Sequence, residues 1–88
     1  MKNKESRAFG AFCRSARAVL GWSQSQLSEK CGLAVPSIAR IETNAVNPRH
    51  DSIVTIVQTF QKAGLEVQYE FTGAFTISAP HSLFEQAN

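Results

Sequence analysis

The stretch from Gly21 to Asn44 leaves room for two short helices and almost nothing between them. Ser23 belongs to the residue types that cap helix N-termini. Leu27 and Cys31 stand four apart on one face of the helix that follows, and Gly32 ends it. Leu33 points inward, and Pro36 falls in the first turn of the next helix, where a missing N–H costs nothing. Ile38 and Ile41 give that helix its buried side, and Asn44 suits the left-handed residue after it. Two short helices joined through Gly32 and two or three turn residues must cross steeply, which leaves the outer side of the second as a ridge.

Around this wedge the pattern is helical before and mixed after. Ser6 is the expected N-cap of a first helix, with Phe9, Cys13, Ala16 and Leu20 as its apolar stripe and Gly21 as its stop. Asn47-Pro48 marks a loop, Asp51 or Ser52 opens a further helix with Ile53, Ile56, Val57 and Phe60 inward, and Gly64 closes it. The period then changes from that of a helix to that of a strand. Leu65, Val67, Tyr69 and Phe71 alternate with Glu66, Gln68 and Glu70; Thr72-Gly73 offers a two-residue turn, and residues 74–78 alternate again. Pro80 ends the second run, and 81–88 read as a loose tail. The expected fold is mainly α: four to five helices with a C-terminal β-strand or hairpin, divided at residue 64.

Composition narrows the function. At 88 residues and 43% hydrophobic, the chain is one ordinary globular domain. A chain of this size buries only ~60–65% of its unfolded surface, so it must be helical and compact or must dimerise. No apolar run approaches the ~18–20 residues of a membrane span. Met1 to Glu5 lacks the apolar stretch of a signal peptide, so the protein reads as cytoplasmic. Cys13 and Cys31 have no CxxC spacing and no neighbouring histidine, and read as two buried free thiols. His50 and His81 have no acid or cysteine partners at ligand spacing, and no nucleophile, paired-carboxylate or glycine-rich phosphate constellation is present. The expectation is therefore no metal, no cofactor and no enzymatic activity. All nine lysines and arginines lie in residues 1–62 against four acids, while 63–88 hold three glutamates and no base. The front of the chain can attract a polyanion and the tail should avoid one.

The run from Leu20 to Asn44, LGWSQSQLSEKCGLAVPSIARIETN, resembles the Xre family of phage-repressor-like, lambda-type helix-turn-helix proteins. Asn47-Pro48-Arg49 and the inward Ile53, Ile56 and Phe60 continue the likeness, which covers roughly residues 6–64. The resemblance implies a DNA-binding domain over 1–64 that binds double-stranded DNA. Gln24 matches the glutamine that bonds a phosphate and braces the recognition helix. Val35, Pro36 and Arg40 match positions that face base edges, with Ser37 beside the sugar-phosphate chain and Asn44 and Arg49 in the loop that approaches the backbone. The family often has polar residues where this chain has Val35 and Pro36. Those two can read only thymine methyls or shape, so hydrogen-bonded base reading would fall to Arg40. The competing reading of Arg40 is a solvated charge on an exposed face. Arg17 and Glu42 match a family pair that is structural rather than DNA-contacting, and Trp22 takes an apolar core position.

A lone hairpin is marginal in water, so the apolar face of 65–78 requires cover. Its own helices are one source. The other, favoured here, is the same strand of a second subunit, which makes Val67, Tyr69, Phe71, Phe75 and Ile77 dimerisation residues and 65–88 a β dimerisation extension. Small repressor-antitoxins of this family end in such a strand. The leading expectation is a homodimeric transcriptional autorepressor on a palindromic operator. The alternative is an antitoxin that also binds a toxin protein.

Overall fold

The computed structural model describes residues 4–69 and 75–80. Four helices come first: α1 (Lys4–Leu20), α2 (Gln24–Cys31), α3 (Val35–Glu42) and α4 (His50–Lys62). Two strands follow, β1 (Glu66–Tyr69) and β2 (Phe75–Ser78), paired antiparallel with Val67 opposite Ile77 and Tyr69 opposite Phe75. The turn expected at Thr72-Gly73, together with Phe71 and the tail, lies outside the described residues.

Helix ends follow local chemistry. Ser23 accepts the Gln26 N–H at 3.0 Å while Gln26 Oε1 accepts the Ser23 N–H at 2.7 Å, a reciprocal capping box. Gly32, at φ 82°, closes α2 through its N–H to Ser28 O at 2.9 Å. Asn44 is the non-glycine exception, at φ 62°. Its N–H reaches Ile41 O and the next N–H, of Ala45, reaches back to Arg40 O at 2.8 Å, the double bond of a Schellman end. Two boundaries differ from expectation. α1 is already helical at Lys4, so Ser6 is not its cap. α4 opens at His50, not at Asp51 or Ser52: Arg49 is extended (ψ 151°) and serves as N-cap, which leaves Asp51 inside the first turn, where its charge suits the helix dipole.

The core gathers the expected stripes. Phe9, Cys13 and Ala16 of α1, Leu27 of α2, Ile38 and Ile41 of α3, and Ile56 and Phe60 of α4 are buried together with Phe12 and Leu65. Phe12, absent from the expected stripe, is the centre of an aromatic cluster. It meets Phe60 edge-on at 5.5 Å, Phe9 at 5.6 Å, and Phe75 of the hairpin in a stack at 4.6 Å. Phe75 also lies 5.4 Å from Phe9. Trp22 stacks on Phe60 at 5.8 Å, with Lys30 Nζ 5.1 Å from its ring centre, which places Trp22 against the core as expected.

Val67, Phe75 and Ile77 pack, half-buried, against the helices of the same chain, the first of the two sources of cover weighed for the hairpin. Phe9 and Phe12 of α1 receive Phe75, at 5.4 and 4.6 Å between ring centres. Phe75→Ala should therefore destabilise the helical domain by about 2–3 kcal/mol, below a fully buried phenylalanine because Phe75 is half-buried. Urea unfolding followed by helical circular dichroism checks this; the loss should persist at dilutions at which any dimer has dissociated.

Candidate nucleic-acid interface

The ridge expected from the sequence is formed by α3. Pro36, Arg40 and Thr43, spaced at i, i+4 and i+7, are exposed, whereas Ile38 and Ile41 on the opposite side are buried. Val35 and Ser37 are half-buried at its first turn, where Ala34 caps without a side-chain hydrogen bond. Arg40 forms no ion pair among the described residues. Of the residues expected to face bases, Pro36 and Arg40 thus stand fully outward and Val35 partly so.

One buried carboxylate fixes this helix. Glu42 is 2% exposed at the last turn of α3. Arg17 of α1 grips it with two parallel bonds, Nε to Oε2 and Nη2 to Oε1, each 2.7 Å. Gln24 at the start of α2 donates Nε2–H to Oε1 at 3.0 Å. Arg17 also donates Nη1–H to Trp22 O at 3.0 Å, so a single guanidinium ties α1, the α1–α2 turn and α3 together. Gln24 thus links the start of α2 to the end of α3. Ser28 Oγ donates to Leu33 O at 2.6 Å and latches the turn from α2 into α3.

The electrostatics follow from this geometry. Burial opposes the charged form of Glu42, but hydrogen bonds from Arg17 and Gln24 and the charges of Arg17 and Arg14 outweigh it, holding the carboxyl below its ordinary range. The same hydrogen bond to Glu42 pushes the Arg17 guanidinium upward. Cys13 is pushed far up, by burial first and then by the charge of Glu42, so its thiol is an inert core group; Cys31 is also free and half-buried. Among the described residues no group of three or more His, Cys, Asp and Glu is placed to hold a metal ion.

The loop from α3 to α4 holds Asn44 and Arg49. Arg49 is exposed at the N-terminus of α4, where its own side chain makes no capping hydrogen bond. Asn44 is turned the other way: its amide oxygen is buried without a hydrogen-bond partner, against Gly10 of α1. Asn44 also gives the loop its left-handed turn, at φ 62°. Gly10 was missed in the sequence. A Cβ there would sit 2.7 Å from both Ile41 O and Asn44 Oδ1, so the close approach of α1 and α3 requires glycine. A glycine inside an otherwise helical stretch, costing ~1 kcal/mol against alanine, was the available signal. Arg14 was missed as well; its Nη1 donates to the Glu42 carbonyl and closes the end of α3.

A family model described as Helix-turn-helix matches residues 14–66. No curated protein matches the chain significantly. No helix among the described residues is long and apolar enough to cross a membrane.

Glu42 supplies a pH test. Its proton is bound less tightly in the folded chain than in the unfolded one, so its contribution is complete above the ordinary glutamate range and lost as acid titrates the folded carboxyl. Stability should decline as pH falls below ~4.3, the unperturbed glutamate value, and Glu42→Gln should flatten that decline. At neutral pH the same substitution should cost about 3 kcal/mol, because Arg17 loses its charged partner. Denaturant midpoints measured across the acid range check both outcomes.

Proposed function

The chain belongs to the helix-turn-helix family of the Xre and lambda-repressor type and is a DNA-binding transcription regulator; we propose that it acts as a homodimeric repressor on a near-palindromic operator. The observation that carries this reading is the exposed side of α3, with Arg40 on it in no ion pair among the described residues and the helix itself held by the Arg17–Glu42–Gln24 network.

In this reading α3 lies in the major groove, where the donor and acceptor pattern of each base pair is distinct. Arg40 presents a planar fork that pairs with the O6 and N7 acceptors of guanine. Pro36 has no N–H, and Val35 is aliphatic; both favour thymine methyl groups and contribute shape. Ser37, half-buried at the first turn, lies toward the sugar-phosphate chain. Arg49 stands at the start of α4, where the helix dipole favours a phosphate. Gln24 remains a phosphate-side brace, with one of its amide N–H groups committed to Glu42.

One such module binds weakly, and two copies about 34 Å apart on one face of the duplex convert weak reading into an operator. The two-stranded sheet supports a route to that pairing. Its apolar face is used within the chain, but among the described residues neither strand has a second neighbour. An open strand edge is a template for another strand. We therefore assign Val67, Tyr69, Phe75 and Ile77 to dimerisation through the backbone edge they carry. The antitoxin alternative rests on the resemblance alone, and co-purification of a partner from the same operon tests it.

Arg40→Ala should weaken binding to the selected operator by ~1–3 kcal/mol and relax preference at one base pair per half-site. Arg49→Ala should instead weaken all sequences alike and lower the salt slope by about 1. Selection from a random duplex library, followed by titrations at several salt concentrations, separates the two. Unchanged sequence preference in Arg40→Ala would remove α3 from the reading head.

A further inference from the structure

We propose that the shoulder of α1 carrying Arg7 and Arg14 is a second phosphate-binding surface, contacting duplex DNA outside the helix-turn-helix. The proposal rests on the reading that α3 and the loop after it face the duplex.

The argument starts from helical spacing. Arg7, Gly10, Arg14 and Arg17 fall at i, i+3, i+7 and i+10 and so lie along one side of α1. Three of the four touch the end of α3. Gly10 approaches Ile41 O and Asn44, Arg14 bonds the Glu42 carbonyl, and Arg17 holds the Glu42 carboxylate. This side of α1 therefore runs beside the last turn of α3 and the start of the loop to α4. Arg7, one turn before Gly10, continues the same line past Asn44.

Gly10 and Arg17 form the inner edge of this strip. Arg7 and Arg14, two turns apart and nearly aligned, form its outer edge and are both exposed. Because Gly10 has no side chain, the end of α3 and the start of the loop come close to α1 there, between the helix positions of Arg7 and Arg14. Arg14 spends one N–H on the Glu42 carbonyl, which restrains its position and leaves further donors of its five. Restraint of this kind lowers the entropy lost when a phosphate is bound. The nearby carboxylate, Glu42, is already satisfied by Arg17 and Gln24. Among the described residues neither Arg7 nor Arg14 forms an ion pair. Glu42 is one negative charge beside the positive charges of Arg17 and Arg14, so among the described residues this shoulder, with Arg7 on it, keeps a net positive charge beside the loop that approaches the DNA backbone, and a polyanionic strand is the partner whose regular charge suits it.

The test uses the full chain and the duplex selected from the random library, with a scrambled duplex of equal length beside it. Arg14→Ala should reduce the slope of log K against log[salt] by about 1 and weaken both duplexes by roughly eightfold at 0.1 M salt, the counterion-release contribution of one phosphate contact. The ratio of affinities for the two duplexes should stay constant. Arg14→Lys keeps the charge and should keep most of the slope, although it loses the fork. Arg7→Ala should give a second decrement and keeps the test decisive if Arg14→Ala does not fold. Lys62→Ala, at the far end of α4, should leave the slope unchanged. Wild-type slopes in both Arg14→Ala and Arg7→Ala would overturn the proposal while leaving the α3 reading intact. A wild-type chain whose affinity for both duplexes is insensitive to salt would overturn both.

Discussion

The structure depends on one carboxylate kept out of water. Glu42 is the last residue of α3, and burying it would be costly without compensation. The compensation comes from three directions at once: a forked Arg17 from α1, the Gln24 amide from the first turn of α2, and the charge of Arg14 nearby. An apolar contact at this position would hold the helices together but would tolerate sliding and rotation. Directional bonds of 2.7 Å to both oxygens of one carboxylate do not. The rotation of α3 about its own axis is thereby fixed, and with it the side that Arg40 occupies.

That constraint matters because α3 is only eight residues long and is poorly equipped to hold itself. Its N-cap is Ala34, without a side-chain bond, and its first turn carries no acidic residue. Order is imported from outside: the Ser28 latch on Leu33 before it, the left-handed Asn44 after it, the glycine notch of α1 beneath it, and Ile38 and Ile41 in the core. The hairpin contributes from further away. Phe75 completes the aromatic cluster around Phe12 and so stiffens α1, the helix that supplies Gly10, Arg14 and Arg17. A short chain gains core area by folding its β extension back onto itself, at the expense of the face that a partner subunit would otherwise use.

Much of this was legible in the sequence because the signals were local. Gly32, Asn44 and Ser23 announce helix ends by backbone chemistry that involves only a few neighbouring residues, and the structure has them there. The two strands were visible as a change of period. The Arg17–Glu42 pair was legible only through the family resemblance, because no local pattern links residues 25 apart. Three features were not read. Phe12 lies one position off the stripe chosen for α1, and nothing in a single helix tells that it will join Phe9 in meeting Phe75. Gly10 shows its purpose only when the backbone of α3 is laid against it. Arg14 looks like a solvated charge until the carbonyl of Glu42 comes within its reach. What packs on the hairpin was left between two sources for the same reason: alternation tells that a face is apolar, not what covers it.

The most direct measurement is a double-mutant cycle on Arg17→Ala and Glu42→Ala, read both in unfolding free energy and in operator affinity. If the buried pair sets the orientation of α3, the two substitutions couple by about 1–3 kcal/mol in folding, and each single variant loses operator affinity as much as the double. Strictly additive losses, or single variants that still bind the operator at full strength, would contradict the account.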